Sequence, residues 1–284
     1  MKADLLKNIL EKVDAFPSIP GSAVKLLELM DQADVSFKDI EDVLRMDPGL
    51  TANILKLTNS AYFGLPTRVG SVRQALTLIG LKRLKQLVMA SCVNAVMDRD
   101  IPGYDLPAGE LWRHSIAVSV AAEGLVGELK FQSGDDIFTA ALLHDVGKLI
   151  LGQFVRDDLA AIKAAAGSTV SFERAEREVL GADHAEIGAR ILRHWAFPES
   201  LVHAVQWHHD PEAAASQHTT TDIVHVANML CLMMGIGVGR EGLQYQPSSQ
   251  VTQRLEIKPF QLEKIASRTL QSMADLADAF SGAA

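Results

Sequence analysis

The chain has 284 residues, a formal net charge of −8 and 48% hydrophobic residues. This length accommodates two modest domains or one extended helical body, and the hydrophobic share is normal for a globular protein. The acidic balance argues against general nucleic-acid binding, which depends on Lys and Arg side chains that neutralise phosphates.

The first part of the chain is predicted to be helical, because its apolar residues recur at intervals of three and four and no strand alternation persists. After an amphipathic N-terminus, the predicted helices span 22–30, 37–46, 50–60, 72–79 and 81–97. Ser36 followed by Asp39, and Ser71 followed by Gln74, are typical of helix N-termini. The stretch 98–109 contains two prolines and two glycines, so we place the domain junction there.

The second part begins with a predicted helix that runs from Glu110 to about residue 128. Glu110 lies four residues before His114, and residues at that spacing share one face of a helix. The next predicted helix starts at Asp136 and carries His144. Each of these histidines alone is more often a core or surface residue than a ligand.

Further along, Asp183 is predicted to cap a helix that begins with His184 and ends near residue 195. Pro198 suits the first turn of the following helix, which reaches His208 and His209. Adjacent residues point about 100° apart on a helix, so these two histidines serve one cluster only at a helix end or beside two metals. A last amphipathic helix is predicted from 259 to about 279.

The most informative segment is ALLHDVGKL, in which His144 and Asp145 are adjacent and Lys148 follows one turn after His144. An imidazole beside a carboxylate suits zinc, iron, manganese or nickel, and the two cysteines have no zinc-finger spacing. A lysine beside such a pair is placed to meet an anion. The residues therefore predict a site of mixed nitrogen and oxygen ligands.

These motifs also carry a family resemblance. HDVGK from His144, DHAEIGA around His184 and HHD from His208 resemble the HD superfamily of metal-dependent phosphohydrolases. FPSIPGSAVKLLEL from Phe16, DPGLTANILKLTNSAYFG from Asp47 and SVRQALTLIGLKRLKQLV from Ser71 add a likeness to the HDOD family, which is related to the HD-GYP phosphodiesterases. The resemblance implies an all-α fold, in which an N-terminal helical HDOD subdomain packs against a C-terminal HD-type helical bundle.

The resemblance also implies functional roles for individual residues. Asp145 would bridge two metals, and Asp145 and Lys148 are the expected catalytic residues, with Lys148 contacting substrate phosphate. The expected cofactor is one or two divalent transition-metal ions, iron first, with manganese, nickel and zinc as alternatives. The implied metal ligands are Glu110, His114, His144, Asp145, His184, His208, His209 and Asn228.

Two departures from the family pattern weaken the enzymatic interpretation. Asn228 stands where the superfamily has an aspartate, so a negative charge that helps to hold divalent metals is missing. Nothing after His209 resembles the GYP motif. We therefore do not expect hydrolysis of cyclic dinucleotides.

We expect two domains, an N-terminal HDOD subdomain at 1–100 and an HD-like metal-binding subdomain at 106–284. The preferred function is a regulatory signalling module that binds signalling proteins in trans. The alternative is a phosphohydrolase acting on a nucleotide or phosphodiester, with a phosphorylated small molecule as ligand, and a weaker third hypothesis is oxygen sensing at a di-iron centre. The N-terminus lacks a secretory signal and no segment favours spanning a bilayer, so the predicted location is the cytoplasm, without membrane or nucleic-acid partners.

Overall fold

The computed structural model describes residues 2–32, 34–131, 136–166, 170–240 and 247–281. Within these ranges the regular structure is helical, and β-pairing is limited to one isolated antiparallel bridge between Ile101 and Leu106. The predicted all-α class is confirmed.

The α-helices follow one another along the whole chain, with short 3-10 helices at Ala61–Phe63 and Pro211–Ala213. Their bounds, in chain order, are α1 (Lys2–Asp14), α2 (Gly21–Met30), α3 (Phe37–Leu44), α4 (Pro48–Thr58), α5 (Val72–Met97), α6 (Glu110–Leu129), α7 (Asp136–Leu143), α8 (Lys148–Asp157), α9 (Leu159–Ala166), α10 (Phe172–Leu180), α11 (His184–His194), α12 (Glu199–Trp207), α13 (Thr219–Met233), α14 (Ser249–Arg254) and α15 (Pro259–Ser281).

The chain divides into two compact units. The apolar unit consists of Ser18–Val96 with Arg268–Ala284, and the histidine unit consists of Met1–Pro17 with Met97–Ser267. The second name reflects the sequence, since all nine histidines lie between His114 and His225.

The apolar unit is built on an aliphatic core whose members recur at helical spacing along α2 to α5. Capping residues begin two of its helices where the sequence predicts, Ser36 at α3 and Ser71 at α5. At α3, the Asp39 N–H donates to Ser36 Oγ, and the Ser36 N–H donates to the Asp39 carboxylate, both at 3.2 Å. Fully or nearly fully buried members of the core are Ala23, Leu26, Ile40, Leu44, Ile54, Leu84 and Val88.

The long helix α5 is broken at Gly80, where the backbone has φ 77° and ψ 170°. A side chain rarely tolerates positive φ, so glycine suits this position. The sequence predicts separate helices at 72–79 and 81–97, and the break at Gly80 confirms the division.

In the histidine unit, α6 packs against α7 and α13, and α11 packs against α12. The predicted helix from Glu110 to about residue 128 is confirmed by α6, which ends at Leu129. Helix α13 is buried from Thr221 to Leu232. A helix buried on all sides belongs to a core, and this one forms an inner wall of the unit.

One stretch, Asp136–Asp157, is long and apolar enough to cross a membrane by length and composition. Most of it is buried within the protein, with 78% of its most apolar window covered. It consists of α7, a turn and α8. Burial in the core of the histidine unit thus accounts for its apolar character.

Candidate metal centre

Six of the eight predicted ligands converge inside the histidine unit from separate elements. Five of them are almost completely buried, at 0–2% exposure, and His209 is partly buried. Their places are His114 in α6, His144 and Asp145 in the turn after α7, His184 at the start of α11, and His208 and His209 directly after α12.

The turn that carries the His-Asp pair departs from one prediction. Helix α7 ends at Leu143, so the prediction that His144 lies within this helix is wrong by one residue. The hydrogen bonds tighten to a spacing of three: the Val146 N–H donates to the Leu143 carbonyl, and the Lys148 N–H donates to the Asp145 carbonyl, each at 3.0 Å. The turn presents His144 and Asp145 together.

A close backbone approach accompanies this turn. A methyl group at Gly147 would overlap the carbonyl oxygen of His184 and lie 2.6 Å from the Gly188 nitrogen. Only glycine allows the turn to touch the backbone of α11 in this way. The contact holds the segment with Asp145 against the segment with His184.

Asp145 lies at the centre of the cluster, and its two carboxylate oxygens face different histidines. Oδ2 is 3.3 Å from His144 Nε2 and 3.6 Å from His114 Nε2. Oδ1 is 3.4 Å from His184 Nε2 and 3.6 Å from His208 Nε2. This is the arrangement expected of a carboxylate that bridges two positions.

Hydrogen bonds at Nδ1 orient three of the histidine rings. A carbonyl oxygen only accepts, so Nδ1 carries the proton and, in a neutral ring, Nε2 keeps its lone pair. That lone pair then faces the cluster, as in metal-binding histidines. His114 donates to the Ile236 carbonyl at 2.9 Å, His144 donates to the Ala141 carbonyl at 2.7 Å, and His208 donates to the Val205 carbonyl at 2.7 Å.

Burial controls the charge of these groups. It lowers the pKa of His114 to about 3 and the pKa of His208 to about 4, so both rings are neutral at pH 7. Burial, with the neighbouring His208, also lowers the pKa of His209 well below its usual range. Burial alone would raise the pKa of Asp145, but electrostatic interactions with His144 and Lys148 hold it well below its ordinary value. The cluster thus contains neutral imidazoles at His114, His208 and His209 beside an ionised Asp145 carboxylate.

Several buried atoms of the cluster point to an ion. Within the described residues, His144 Nε2, His208 Nε2 and Asp145 Oδ1 are buried and have no hydrogen-bond partner. Leaving such atoms unpaired is costly unless something else satisfies them. Two groups, His114 with His144 and Asp145, and Asp145 with His184, His208 and His209, each keep their donor atoms within 4.8 Å of one another. These donors suit a divalent transition metal in chemistry and in spacing.

His184 is the exception in charge. Burial lowers its pKa, but the Glu176 carboxylate 2.8 Å from His184 Nδ1 prevails and raises the pKa well above the usual value. Without metal, the extra proton on His184 Nε2 is donated to His209 Nε2 at 2.8 Å. Metal ligation by His184 would release that proton.

Sequence reasoning missed Glu176, which lies on α10, a helix that it did not predict. The carboxylate is fully buried and also accepts from the Tyr104 hydroxyl at 2.6 Å and from the His184 N–H at 3.0 Å. A signal was present, because Glu176 falls on the buried face of α10 with Phe172 and Leu180. An acidic residue on an apolar stripe rarely remains unpaired.

Asn228 lies beside His114 on the inner face of α13, with Oδ1 3.0 Å from His114 Nε2. It is 1% exposed. When His114 is neutral and donates through Nδ1, its Nε2 accepts, and the amide then presents its NH₂ group. The predicted ligand position is therefore adjacent to the cluster, but its side chain is neutral.

Glu110 is not brought into the cluster. Its carboxylate pairs with Arg113 at 3.3 Å, and its side chain is 34% exposed. Neither of the two potential ligand groups found in the described ranges includes it. The four-residue spacing predicts that Glu110 lies on the His114 face, one helical turn earlier, but its side chain reaches Arg113 instead.

Lys148 points towards Asp145. Its Nζ donates to Asp145 Oδ2 at 2.7 Å, and the side chain is nearly fully buried. The same ammonium lies 5.5 Å from the centroid of the Tyr104 ring, within the range of a cation–π contact. Lys148 thus stabilises the ionised form of the Asp145 carboxylate.

The fold and the site define a helical protein with an HD-type cluster of histidines around an aspartate. A family model for the HDOD domain matches residues 16–211. The chain belongs to the HDOD domain family, which confirms the resemblance seen in its motifs.

Solved structures support the same fold. A protein from Shewanella amazonensis SB2B, provisionally described as a phosphohydrolase, is 26% identical, with a TM-score of 0.75 over 95% of this chain and 97% of that one. An HDOD domain protein with unknown function from Geobacter sulfurreducens is 24% identical, with a TM-score of 0.73 over 98% and 93% of the two chains. The latter likeness concerns the fold alone.

A curated relative is an uncharacterized protein of Treponema pallidum (strain Nichols), 25% identical over 232 residues. The match includes 79% of this chain and 44% of that protein. The chain thus spans less than half the length of this relative.

Proposed function

We propose that this chain is a cytoplasmic signal-transduction module that holds one or two divalent metal ions and binds signalling proteins in trans. The observation that carries the proposal is the buried cluster around Asp145, in which unpartnered Nε2 atoms of His144 and His208 face one ionised carboxylate. Iron is the preferred ion, and manganese, nickel and zinc suit the same donors.

The ion would be held by the histidines and Asp145, with Asn228 beside them. When bound, a divalent metal supplies Lewis-acid chemistry and lowers the pKa of coordinated water. A regulatory role is favoured because Asn228 lacks the negative charge that an aspartate would add to the centre. That loss disfavours turnover, whereas a module that binds partner proteins needs no hydrolytic chemistry.

The first test is the metal content of untagged protein, purified without chelators and measured by inductively coupled plasma mass spectrometry. We expect one to two ions per chain, and replacement of Asp145 by Ala should remove them. His203→Ala is a matched control, because His203 is partly buried and bonds Thr221 outside the cluster. Metal-free protein after anaerobic reconstitution would refute the metal site.

A metal-dependent phosphohydrolase is the second candidate. It is favoured by the buried Lys148 ammonium beside Asp145 and by the 26% identity to the Shewanella amazonensis protein. The lysine would offset charge on phosphoryl oxygens. The natural substrate class would be a nucleotide or phosphodiester.

Hydrolysis of bis(p-nitrophenyl) phosphate by metal-loaded protein distinguishes the two functions. The regulatory proposal predicts no turnover above that of the free ion. Turnover near the enzymatic range of about 1 s⁻¹ would overturn it, if Asp145→Ala abolished the activity and Lys148→Ala lowered it while metal content stayed intact.

A further inference from the structure

The candidate centre contains two ligand groups that share Asp145. The His184 group consists of Asp145, His184, His208 and His209, and the His114 group consists of His114, His144 and Asp145. The groups differ in the number of donor atoms, in the groups that hydrogen-bond to Nδ1 of the ligating histidines, and in the surroundings of the shared Asp145 carboxylate. Each difference favours the same group.

Donor number is the first difference. The His184 group offers four donor atoms, which suffice for tetrahedral coordination, whereas the His114 group offers three. The polar neighbour of His114 on the inner face of α13 is Asn228, at 3.0 Å. An amide oxygen is a neutral and weaker ligand than a carboxylate for a divalent ion.

The second difference is a carboxylate, that of Glu176, which is hydrogen-bonded to one of the ligating histidines. Glu176 accepts from the Nδ1–H and the main-chain N–H of His184 and from the Tyr104 hydroxyl. Three hydrogen-bond donors therefore hold the Glu176 carboxylate against His184. A carboxylate behind a ligating histidine also makes the ring a stronger donor. In the His114 group, by contrast, His114 and His144 are oriented by neutral carbonyls.

The third difference lies at Asp145. Its Oδ2, which faces His114 and His144, receives the hydrogen bond from the Lys148 ammonium at 2.7 Å. Its Oδ1, which faces His184 and His208, is buried without a hydrogen-bond partner. The lysine therefore opposes a cation on the Oδ2 side and leaves Oδ1 available.

We propose that the centre loads in a fixed order, in which the His184 group holds a divalent ion tightly and the His114 group binds a second ion weakly. At limiting metal, the protein then carries one ion, beside α10 and α11. The inference rests on the proposed function, because both require a divalent ion at Asp145.

The test is a titration of the full-length, metal-free protein with Co²⁺, followed by equilibrium dialysis and by the visible spectrum of the bound ion. The wild type should bind one equivalent tightly and a second at concentrations at least about tenfold higher. Asn228→Asp should strengthen the second step by about 10- to 100-fold and leave the first unchanged. This gain cannot arise from misfolding.

Ligand variants identify the tight group. His209→Ala should remove the tight step, and His114→Ala should retain it and lose the weak one, with helical content checked by circular dichroism. Glu176→Gln should weaken the first step by about 10- to 100-fold, whereas His203→Ala should change neither step.

The opposite pattern, a tight ion lost in His114→Ala and retained in His209→Ala, would overturn the loading order while leaving the metal function standing. Two steps of equal affinity in the wild type would overturn it as well. Absence of Co²⁺ binding by the wild type would refute the proposed function itself. The two failures are thus distinguishable.

Discussion

The apolar unit and the histidine unit are both helical, but they bury different chemistry. In the part of the apolar unit that the structure describes, the buried polar side chains are hydroxyls and an amide: Thr58, Ser60, Gln86, Ser91 and Thr269. The histidine unit buries imidazoles, carboxylates and an ammonium, with His144, His184 and His208 at 0% exposure and Lys148 at 3%.

This difference separates what the fold requires from what the site requires. Aliphatic packing alone gives the apolar unit its core, since burial of apolar area is the main favourable term in folding. Buried charges are expensive and are often neutral or better when replaced by apolar groups. Their concentration around Asp145 is what the metal-binding role proposed above would require.

The largest expected effect is loss of the buried charge pair. Asp145→Ala leaves the Lys148 ammonium buried without its carboxylate, and breaking such a pair costs about 3–5 kcal/mol. Urea unfolding of the metal-free protein should show this loss, and Asp145→Leu combined with Lys148→Met should recover most of it. A double variant no more stable than Asp145→Ala would contradict the assignment of this pair.

A core deletion in the apolar unit should have a comparable or somewhat smaller effect on stability and none on the site. Leu26 is completely buried in the aliphatic core, and Leu26→Ala should cost about 2–5 kcal/mol by creating a cavity. Metal content per folded chain should equal that of the wild type. Loss of the metal in folded Leu26→Ala protein would contradict the prediction that the core of the apolar unit does not affect metal binding.

Acidification should affect the histidine unit selectively. An unfolded histidine has a pKa of about 6.5, whereas His114 and His208 have folded values of about 3 and about 4. Between these limits the unfolded state binds protons that the folded state does not, so stability falls as pH falls, by up to about 1.4 kcal/mol per pH unit for each histidine.

His184 works in the other direction and outside this window. Its raised pKa contributes stability that is present below pH 6.5 and is lost as pH rises through the folded value.

The selective effect of acidification is tested by amide hydrogen exchange of metal-free protein at pH 7 and pH 5, corrected for intrinsic rates. Protection should drop in α6 and α13 and persist in α2 to α4, where the chain has no histidine. Equal loss in both sets would contradict the prediction.

Much of the fold was predictable because local signals and packing agree. Asp183 caps α11 as expected, accepting from the Glu186 N–H at 2.8 Å, and His184 is its first residue. Pro198 was expected inside the first turn of α12 but is its N-cap. His208 and His209 follow the helix end, which is the place where two adjacent histidines can serve one cluster.

The rest of the site depends on contacts between distant segments, which periodicity does not reveal. Glu176 supports His184 from a helix without metal-binding motifs. The Ile236 carbonyl, 122 residues from His114 along the chain, fixes the orientation of that ring. Glu110 shares a helix with His114, but its side chain lies 3.3 Å from Arg113 at the surface, and helical spacing does not predict that choice of partner.

The backbone contact at Gly147 has a consequence for comparing sequences. Histidines and aspartates are easily counted in a chain, but their distances depend on how closely the turn after α7 can approach α11, and Gly147 admits no side chain there. A homologous chain with every ligand in place and a bulkier residue at this position would need to move one segment away from the other. The residue type at position 147 is thus as informative as the imidazoles themselves about whether a homologous chain can bind metal.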